Sequence, residues 1–535
     1  MTMTSVNRRD FVKFLGGTLA LVPLSSCSSL LKTNSISVKE FKDLFPNKAD
    51  DLVLAPGLKY EMLASWGDKI NDKETFGFNN DYTAYFPIDE NRGVLWVNHE
   101  YPDPKFVSGY EVGMARTKAQ MKKEMESVGG SLIEIQKDTS GKWSLVKNSK
   151  YNRRLDGFTE IPIIAPRKIE GSQTAVGTFA NCAGGITPWG TVLTCEENYH
   201  DFYGEKLHDG KEKKGRFGWD AYKKRSPHHY GWVVEVNPFT GEAKKLTSIG
   251  RYAHECCTVT KAKDGTIVAF SGDDKKDEFI YKFVSSKKNS LEEGELFVGD
   301  FVNGKWLSLD INKSEVLKKN FKDQTDILIH CRKAGRLLGA TKMDRPEDFE
   351  IHPKTGDVYL TLTNNYSNKR PDSLNNYHGK ILKISHPNGD YLSESFESSD
   401  FVVGGVETKM SCPDNLIFDK NGNLWMTNDI SGSMMNKGPY KSFKNNGLFY
   451  IPTSGPQAGE VFQIASAPID AELTGLTFTP DEKTLFLSVQ HPGEKSPSAK
   501  KLSSHWPTKD NGTPRPSVVQ ISGRLLDELV GNAQG

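Results

Sequence analysis

The residues with the clearest chemical potential are a cysteine and two glutamates in the segment Thr194-Cys195-Glu196-Glu197-Asn198. They are predicted to end a β-strand, where backbone alternation places Cys195 and Glu197 on one side and Glu196 on the other. Carboxylates bind hard cations such as Ca²⁺. A thiolate among carboxylates is typical of a transition-metal site, with iron the natural candidate. Taken alone, the segment could also be a buried structural cysteine beside surface glutamates.

Further acidic, amide and imidazole side chains recur in comparable surroundings along the chain. Many carboxylates brought to one place repel one another strongly, so we expect several bound cations there. The candidate ligand residues are His254-Glu255, Glu347-Asp348, Asp414-Asn415, Asp429, Asp273-Asp274, Asn98 and Glu100.

Arg345 supplies the one guanidinium in this set, in the segment Arg345-Pro346-Glu347-Asp348. An arginine fixed beside multivalent cations is the arrangement that clamps a phosphoryl oxygen. The alternative is a structural ion pair between Arg345 and Glu347 or Asp348. The first hypothesis gives Arg345 a role in binding phosphate, and the second gives it none.

These residues recur because a two-strand unit recurs six times. In each unit a polar cluster begins one strand and ligand-type residues end the next. The clusters are Asn80–Asp81, Asn181–Cys182, His254–Glu255, Glu347–Asp348, Asp414–Asn415 and Thr474–Gly475. The strand endings lie at residues 95–100, 191–198, 266–274, 357–365, 423–429 and 484–492. Six such hairpins predict an all-β, six-bladed β-propeller that focuses its polar residues at one end of a central channel.

The chain has 535 residues and a formal net charge of +1. This near-neutral charge gives no bulk electrostatic reason to expect nucleic-acid binding. Residues 57–535 are predicted to form a single propeller, expected to be monomeric. The uneven spacing of the six units predicts long inserted loops, with a few short helices, that wall the channel mouth. Residues 517–526 are predicted to provide the strand that closes the ring.

The N-terminus carries an export signal. Residues 7–13 (NRRDFVK) form a twin-arginine signature, and the apolar stretch at 14–24 is too short to span a bilayer. Leu24-Ser25-Ser26-Cys27 resembles a bacterial lipobox. We therefore expect a signal peptide at 1–26, a lipid on Cys27, a tether at 27–56 and a periplasmic or cell-surface location. The twin-arginine machinery, which exports folded proteins, would be a partner. The alternative is a plain cleavable signal in which Cys27 is incidental.

Several motifs together resemble the bacterial PhoX-type alkaline phosphatases, over about residues 45–525. They are the twin-arginine leader and the segments NCAGGITPWGT (181–191), TCEE (194–197), YAHE (252–255), RPED (345–348) and CPDN (412–415). The resemblance implies a propeller mouth that holds two ferric ions and two or three Ca²⁺. It also implies hydrolysis of phosphomonoesters with release of inorganic phosphate, and leaves phosphodiesters open as further substrates.

The resemblance also implies roles for particular residues. Cys195 would be an iron ligand, and Arg345, with Asn181, would contact the phosphate. Arg345, Glu347 and Cys195 would be the residues closest to catalysis. The remaining implied iron or calcium ligands are Glu196, Glu255, Glu347, Asp414 and Asp429. Asn98 and Asp273 stay candidate metal ligands on the argument from clustered polar residues.

Two other functions are compatible with the same motifs. Six-bladed propellers with one Ca²⁺ hydrolyse lactones and esters, and Pro413-Asp414-Asn415 followed by residues 422–425 (GNLW) resembles that superfamily. This hypothesis needs one cation and gives Cys195 no role. The third hypothesis is a non-catalytic binding propeller at the cell surface, with purely structural Ca²⁺. Metal content measured beside activity separates the three.

Changing Cys27 to alanine is expected to release the mature protein from the membrane fraction, because the lipid would be attached to that thiol. Specific activity should be unchanged, since the tether is predicted to lie outside the propeller. Fractionation of cells that express each form measures both quantities. Wild-type protein that is already soluble after osmotic release would show that the lipid-anchor prediction is wrong.

Overall fold

A computed structural model describes residues 44–508, 510 and 512–531. Over these residues the chain forms six sheets of four to six strands, one for each predicted unit, so the six-bladed β-propeller is confirmed. The predicted signal peptide at 1–26 and Cys27 lie outside the described residues. Within the described part, no helix combines the length and apolar character needed to cross a membrane.

The blades are numbered in chain order, and their strands are given from the channel outwards. Blade 1 contains Asn80–Asp89, Arg92–His99, Gly129–Lys137 and Trp143–Leu145, with Arg153–Leu155 also paired to its third strand. Blade 2 contains Asn181–Ile186, Val192–Glu196, Val233–Val236, Ala243–Leu246, Glu160–Ile164 and Thr174–Val176. Blade 3 contains Thr258–Lys261, Ile267–Gly272, Ile280–Ser285, Gly294–Asp300 and Lys305–Ser308.

The second half of the ring has the same order. Blade 4 contains Pro346–Ile351, Val358–Leu362, Lys380–Ser385 and Glu397–Val403. Blade 5 contains Pro413–Phe418, Leu424–Asn428, Gly447–Ile451, Phe462–Ser466 and Val53–Leu54. Blade 6 contains Glu472–Phe478, Leu485–Gln490, Ser517–Ser522 and Lys59–Ser65.

The ring is closed by both ends of the described chain. Ser517–Ser522 is the third strand of blade 6, and Lys59–Ser65 pairs with it as the outer strand. The predicted strand at 517–526 is confirmed up to Ser522, but Arg524–Gly531 is a helix. Val53–Leu54 adds to blade 5, and the neighbouring Leu52 is buried. The propeller therefore begins before residue 57. The last residues of the predicted tether at 27–56 belong to blade 5 instead.

Helices in the described part of the chain are few and short, and all but the last lie in connections between strands. The α-helices are Pro104–Val107, Lys118–Ser127, His200–Tyr203, Glu315–Asn320, Gln324–Ile329, Cys331–Leu338 and Arg524–Gly531. Two short ladders pair Glu205–Lys206 with Glu212–Lys213, and Lys276–Glu278 with Met343–Asp344.

The core lies between neighbouring blades, because strands buried on both faces pack their side chains against the next sheet. Tyr85, Trp143 and Phe486 form one such contact between blades 1 and 6, with ring centroids 5.5 to 6.0 Å apart. Edge-to-face and tilted aromatic pairs at these separations are favourable beyond the area they bury.

The innermost strand of five blades carries the same irregularity near its start. Each contains one residue more than its partner strand, between Asn80 and Thr83, Asn181 and Gly184, Pro346 and Phe349, Pro413 and Leu416, and Thr474 and Thr477. In blade 3 the shift falls between the bridge His254–Asp273 and the pair Thr258–Phe270. A β-bulge re-aims the side chains at its position, so six bulges present six equivalent residues at one level of the channel.

Candidate metal centre and active site

The bulges place a first ring of polar side chains at the channel mouth. The residue that follows the last paired position before each bulge is Asp81, Cys182, Glu255, Glu347 or Asp414 in blades 1 to 5. Blade 6 has Gly475 there, with φ at +62°, and a Cβ atom would lie 2.2 Å from the carbonyl oxygen of Asp81. Glycine is therefore required at this position by the close approach of blade 1.

A second ring comes from the ends of the adjacent strands. Its members are Glu100, Glu197, Asp274, Thr363 and Asp429, whose backbone N–H groups donate to the carbonyls of Asn79, Ala180, Ala253, Arg345 and Cys412 at 2.8 to 3.1 Å. Four of those five acceptor residues, all but Ala253, have a positive φ. The repeated hydrogen bond fixes each second-ring residue against the start of the inner strand in its own blade.

The two rings form one connected group of donor atoms. Cys182 Sγ lies 3.4 Å from Asp81 Oδ2 and 3.2 Å from Glu255 Oε1. Three overlapping sets have ligand atoms within 4.8 Å of one another: Asp81, Glu100 and Cys182; Cys182, Glu197 and Glu255; and Glu255, Glu347 and Asp414. The side-chain amide of Gln490 donates to Asp81 at 3.0 Å and to Glu100 at 2.9 Å, which orients both carboxylates.

Burial and mutual repulsion oppose ionisation of this group. Burial raises the pKa of Asp81 to about 6 and that of Asp414 to about 8. Burial, followed by the charges of Glu347 and Asp414, raises the pKa of Glu255 well above its usual value. The pKa of the Cys182 thiol is also raised well above its usual value, by burial and then by the neighbouring carboxylates.

Bound cations remove this conflict, and the donor set fits them. Clustered carboxylates are the ligands of hard cations, and a single thiolate among them suits a transition metal. Every set contains side chains from two or more blades, so a bound ion would also join blades together. The described residues therefore provide a candidate centre for more than one metal ion.

Arg345 lies at the edge of the rings and is held in one orientation. Its Nε and Nη2 donate to the two oxygens of Asp274, each at 2.8 Å, and Nη2 lies 2.9 Å from Glu347 Oε1. Burial acts to raise the pKa of Asp274, but the charge and hydrogen bonds of Arg345 outweigh it, and the pKa is lowered. The predicted structural pair with Glu347 is present, together with the stronger one to Asp274. No hydrogen bond from Nη1 is formed within the described residues, so that side of the guanidinium is available.

The structure places Cys195 and Asn98 outside both rings, which corrects their predicted positions. Each lies on the strand that pairs with the bulged inner strand, opposite the bulge and two residues before the second-ring residue of its blade. Cys195 is fully buried in an apolar cluster with Leu193 and Cys257 between blades 2 and 3. The Asn98 amide donates to the carbonyl oxygens of Cys182 and Ala183, at 2.5 and 3.0 Å. The thiol that lies among the carboxylates is Cys182.

Glu196 and Asp273 are also displaced from the rings, by one residue each. Glu196 pairs with Lys245 at 2.5 Å, and both side chains are fully buried. Asp273 forms a bidentate pair with Arg332, at 2.7 and 2.6 Å. The neighbouring residues Glu197 and Asp274 face the mouth instead. These two ion pairs already satisfy the carboxylates that sequence analysis assigned to metal.

Asn181 is buried beside the first ring but does not face it. Its amide donates to the hydroxyls of Thr178 at 2.9 Å and Thr194 at 2.8 Å. This corrects the prediction that Asn181 contacts phosphate, because both amide hydrogens have protein partners. The structure does bring together Glu255, Glu347, Asp414, Asp429 and Arg345; their roles as ligands or phosphate contacts stay predictions.

Sequence analysis did not assign ligand roles to Asp81 and Cys182, and it named Glu100 and Glu197 only as members of larger candidate groups. A signal was present, because Asp81 and Cys182 follow Asn80 and Asn181 just as Glu255 follows His254 and Glu347 follows Pro346. When the six strand starts are aligned on the residue that precedes each of these side chains, the next position in every copy is the first ring. The bulge cannot be located from strand alternation alone, and it decides which side chain faces the channel.

Comparison with known proteins agrees with this architecture. Residues 39–493 match the family described as alkaline phosphatase PhoX. The structure of Pseudomonas fluorescens PhoX in complex with vanadate, a transition state analogue, is 31% identical, with a TM-score of 0.81, and the match covers 91% of this chain and 98% of that chain. XC5397 from Xanthomonas campestris, a gluconolactonase, is 11% identical, with coverage of 89% and 99% and a TM-score of 0.33, too low to carry an argument. No curated protein matches.

The fold and the site thus define a propeller phosphatase with a cluster of potential metal ligands. The chain belongs to the PhoX alkaline phosphatase family.

Serine substitution at two cysteines tests which thiol binds metal. Cys182→Ser is expected to lose bound transition metal, because a serine hydroxyl cannot replace a thiolate ligand. Cys195→Ser should keep the metal and lose about 1–3 kcal/mol of stability, because it places a hydroxyl among apolar side chains. Elemental analysis, visible absorbance and melting temperature on both variants and the wild type measure these effects. Metal loss in Cys195→Ser with full retention in Cys182→Ser would contradict the assignment.

Proposed function

We propose that the protein is an exported, metal-dependent alkaline phosphatase that hydrolyses phosphomonoesters and releases inorganic phosphate. The observation that carries this proposal is the position of Arg345 beside a buried ring of carboxylates and one thiol. A phosphoryl group needs positive charge on several sides, and only Arg345 among these residues supplies it from the protein. The similarity to a PhoX structure that contains vanadate, a transition state analogue, supports the same reaction.

We infer that the cluster holds Fe³⁺ and Ca²⁺. The sets that contain Cys182 suit iron, because the thiolate is a soft donor. The set of Glu255, Glu347 and Asp414 contains carboxylates alone and suits Ca²⁺. When bound, such cations would neutralise phosphoryl oxygens and stabilise charge on the leaving oxygen.

The chain's own residues would bind and orient the substrate. Arg345 would donate from Nη1 to a phosphoryl oxygen while Asp274 holds the guanidinium plane through two hydrogen bonds. The Thr363 hydroxyl donates to Glu347 at 2.6 Å and fixes that carboxylate against Arg345. Orientation that is in place before the substrate arrives lowers the cost of reaching the transition state.

The long connections are placed to enclose a small phosphoester. The segments 101–128, 197–232, 363–379, 429–446 and 491–516 all follow the second strand of a blade, on the side where the rings lie. Walls around a charged site exclude water and strengthen the electrostatic contacts within it. A site of this depth favours small-molecule phosphoesters over extended polymers.

Export and anchoring form the remaining part of the proposal. The twin-arginine signature at 7–13 supports export of the folded protein, and the lipobox-like segment 24–27 supports lipid attachment at Cys27. The protein would then act in the periplasm or at the cell surface, with no membrane contact other than this lipid.

Arg345→Lys is expected to lower kcat/KM for an aryl phosphate by roughly 10²-fold or more, because an ammonium cannot keep both the pair with Asp274 and the phosphate contact. Arg332→Lys is the matched control, since Arg332 forms the same kind of bidentate pair with Asp273 outside the rings. That control should retain activity while its melting temperature falls. Near-wild-type kinetics for Arg345→Lys would show that Arg345 is structural.

Removal of metal is expected to abolish hydrolysis of 4-nitrophenyl phosphate. Chelation of Ca²⁺ should remove activity, and its return should restore it, because the carboxylates repel one another without cations. A lactone assayed in parallel tests the lactonase alternative. Full phosphatase activity after verified removal of both calcium and iron would show that the metal-centre proposal is wrong.

A further inference from the structure

Positively charged side chains lie beside Arg345, outside the two rings. The ladder between Lys276–Glu278 and Met343–Asp344 pairs Lys276 with Asp344, the residue before Arg345. The loop at 363–379 packs on this ladder, because the Asn376 amide donates to Asp344 at 3.0 Å. The same loop contributes Arg370 and Tyr366. We call Lys276, Arg370 and Tyr366 the lateral cluster.

The charge of Lys276 is not neutralised by a nearby carboxylate. Its side chain is exposed, and Nζ donates to the carbonyl oxygen of Tyr366 at 2.9 Å and lies 4.0 Å from the centroid of the Tyr366 ring. Within residues 44–508, 510 and 512–531, no carboxylate oxygen lies within 4.0 Å of Lys276 Nζ, the distance that defines an ion pair. The aromatic ring and the carbonyl fix the position of Nζ and leave its charge available.

Arg370 is only loosely held. Its Nη2 lies 3.5 Å from both oxygens of Asp277, a carboxylate that also accepts from the Asn365 amide at 3.1 Å. By contrast, Asp274 binds Arg345 through two hydrogen bonds of 2.8 Å. Arg370 could therefore turn towards a ligand at little cost, whereas Arg345 could not.

The two cations of the lateral cluster are close to Arg345. Lys276 Nζ donates to the carbonyl oxygen of Tyr366 at 2.9 Å, and Arg370 Nη1 donates to that of the preceding residue, Asn365, at 3.5 Å. Lys276 also pairs across the ladder with Asp344, the residue before Arg345. Arg345 is paired with Asp274 and Glu347, and Arg370 lies 3.5 Å from Asp277, so Lys276 is the one cation of the three without an ion pair among the described residues. An anionic group placed between Lys276 and Arg370 would supply that missing partner.

We propose that Lys276 and Arg370 form a subsite for a second anionic group, a carboxylate or a phosphate, on the leaving-group side of the phosphoester. The inference rests on the proposed phosphatase function. Arg345 would hold the phosphoryl group towards the rings, so the leaving group must extend away from them, and Lys276 lies next along the ladder. The substrates favoured would be phosphorylated hydroxy acids and bisphosphates rather than esters of neutral alcohols.

Two substrate pairs that differ mainly in one charged group test this subsite. 3-Phosphoglycerate differs from glycerol 3-phosphate in having a carboxylate where the latter has an alcohol, and glucose 1,6-bisphosphate carries one phosphate more than glucose 6-phosphate. For the metal-loaded wild type, kcat/KM should be higher for the more anionic member of at least one pair. The pair that shows this preference identifies the anionic group.

The double variant Lys276→Gln/Arg370→Gln tests the two residues. In this variant the ratio of kcat/KM values within the preferred pair should fall roughly tenfold, while kcat/KM for glycerol 3-phosphate changes less than about twofold.

Three controls separate the subsite from general effects. Lys276→Arg/Arg370→Lys should keep the preference, since both charges remain. Lys354→Gln, in the turn between the first two strands of blade 4, should behave as wild type. Added salt should reduce the preference of the wild type, because the contacts are partly exposed.

Equal kcat/KM values within both pairs, or a preference unchanged by the double substitution, would overturn the subsite alone, because hydrolysis would still be observed. Failure of the folded, metal-loaded wild type to hydrolyse any of the four esters would overturn the proposed function, and this inference with it.

Discussion

The structure depends on the burial of many carboxylates at one end of a narrow channel. Seven carboxylates of the two rings are buried there, namely Asp81, Glu100, Glu197, Glu255, Asp274, Glu347 and Asp414. Arg345 pairs with only Asp274 and Glu347. An ionised carboxylate that is buried without a partner costs several kcal/mol, so the ionised cluster is stable only with further positive charge. The proposed cations would therefore stabilise the ring at its mouth as well as serve the reaction.

Hydrogen bonds between neighbouring blades join the inner strands below this cluster. The backbone N–H of Leu416 donates to Asp348 at 2.8 Å, and that of Gly475 donates to Asn415 at 3.1 Å. Asp348 and Asn415 follow the first-ring residues Glu347 and Asp414 in the chain. In blades 4 and 5 the bulge therefore directs one side chain to the mouth and the next to a neighbouring blade, which couples the site to the stability of the ring. A cavity of about 440 Å³ lined by the inner strands contains Asp348 and Asn415 but none of the first-ring side chains.

Much of the fold follows from the sequence, because six copies of one pattern leave few architectures. The polar cluster at each strand start, the Asn/Asp/Gly turns and the closing strand at 517–522 are local signals, and the structure contains them. The outer strand Lys59–Ser65 and the added strand Val53–Leu54 depend on pairing with the distant partners Ser517–Ser522 and Phe462–Ser466, so they could not be placed by local pattern.

Most carboxylates of the site were predictable to within one residue, but the thiol was assigned to the wrong strand. Glu255, Glu347 and Asp414 were assigned from their motifs and lie in the first ring. Cys195 and Glu196 were chosen for their chemistry, but the second-ring residue is Glu197, one position further on, and the thiol in the first ring is Cys182, which lies in the other strand of the hairpin. A one-residue shift exchanges the two faces of a strand, and no local feature of the sequence Thr-Cys-Glu-Glu shows which residue is shifted.

The central claim is that metal binds in the first ring and that Cys182 is its thiolate ligand. The most direct measurement is anomalous X-ray scattering above and below the iron absorption edge, on crystals of protein exported natively. The account predicts an iron peak within bonding distance of Cys182 Sγ and of carboxylate oxygens from Glu255 or Glu197, with no peak beside Cys195. An iron peak at Cys195, or no transition metal near Cys182 in active protein, would contradict it.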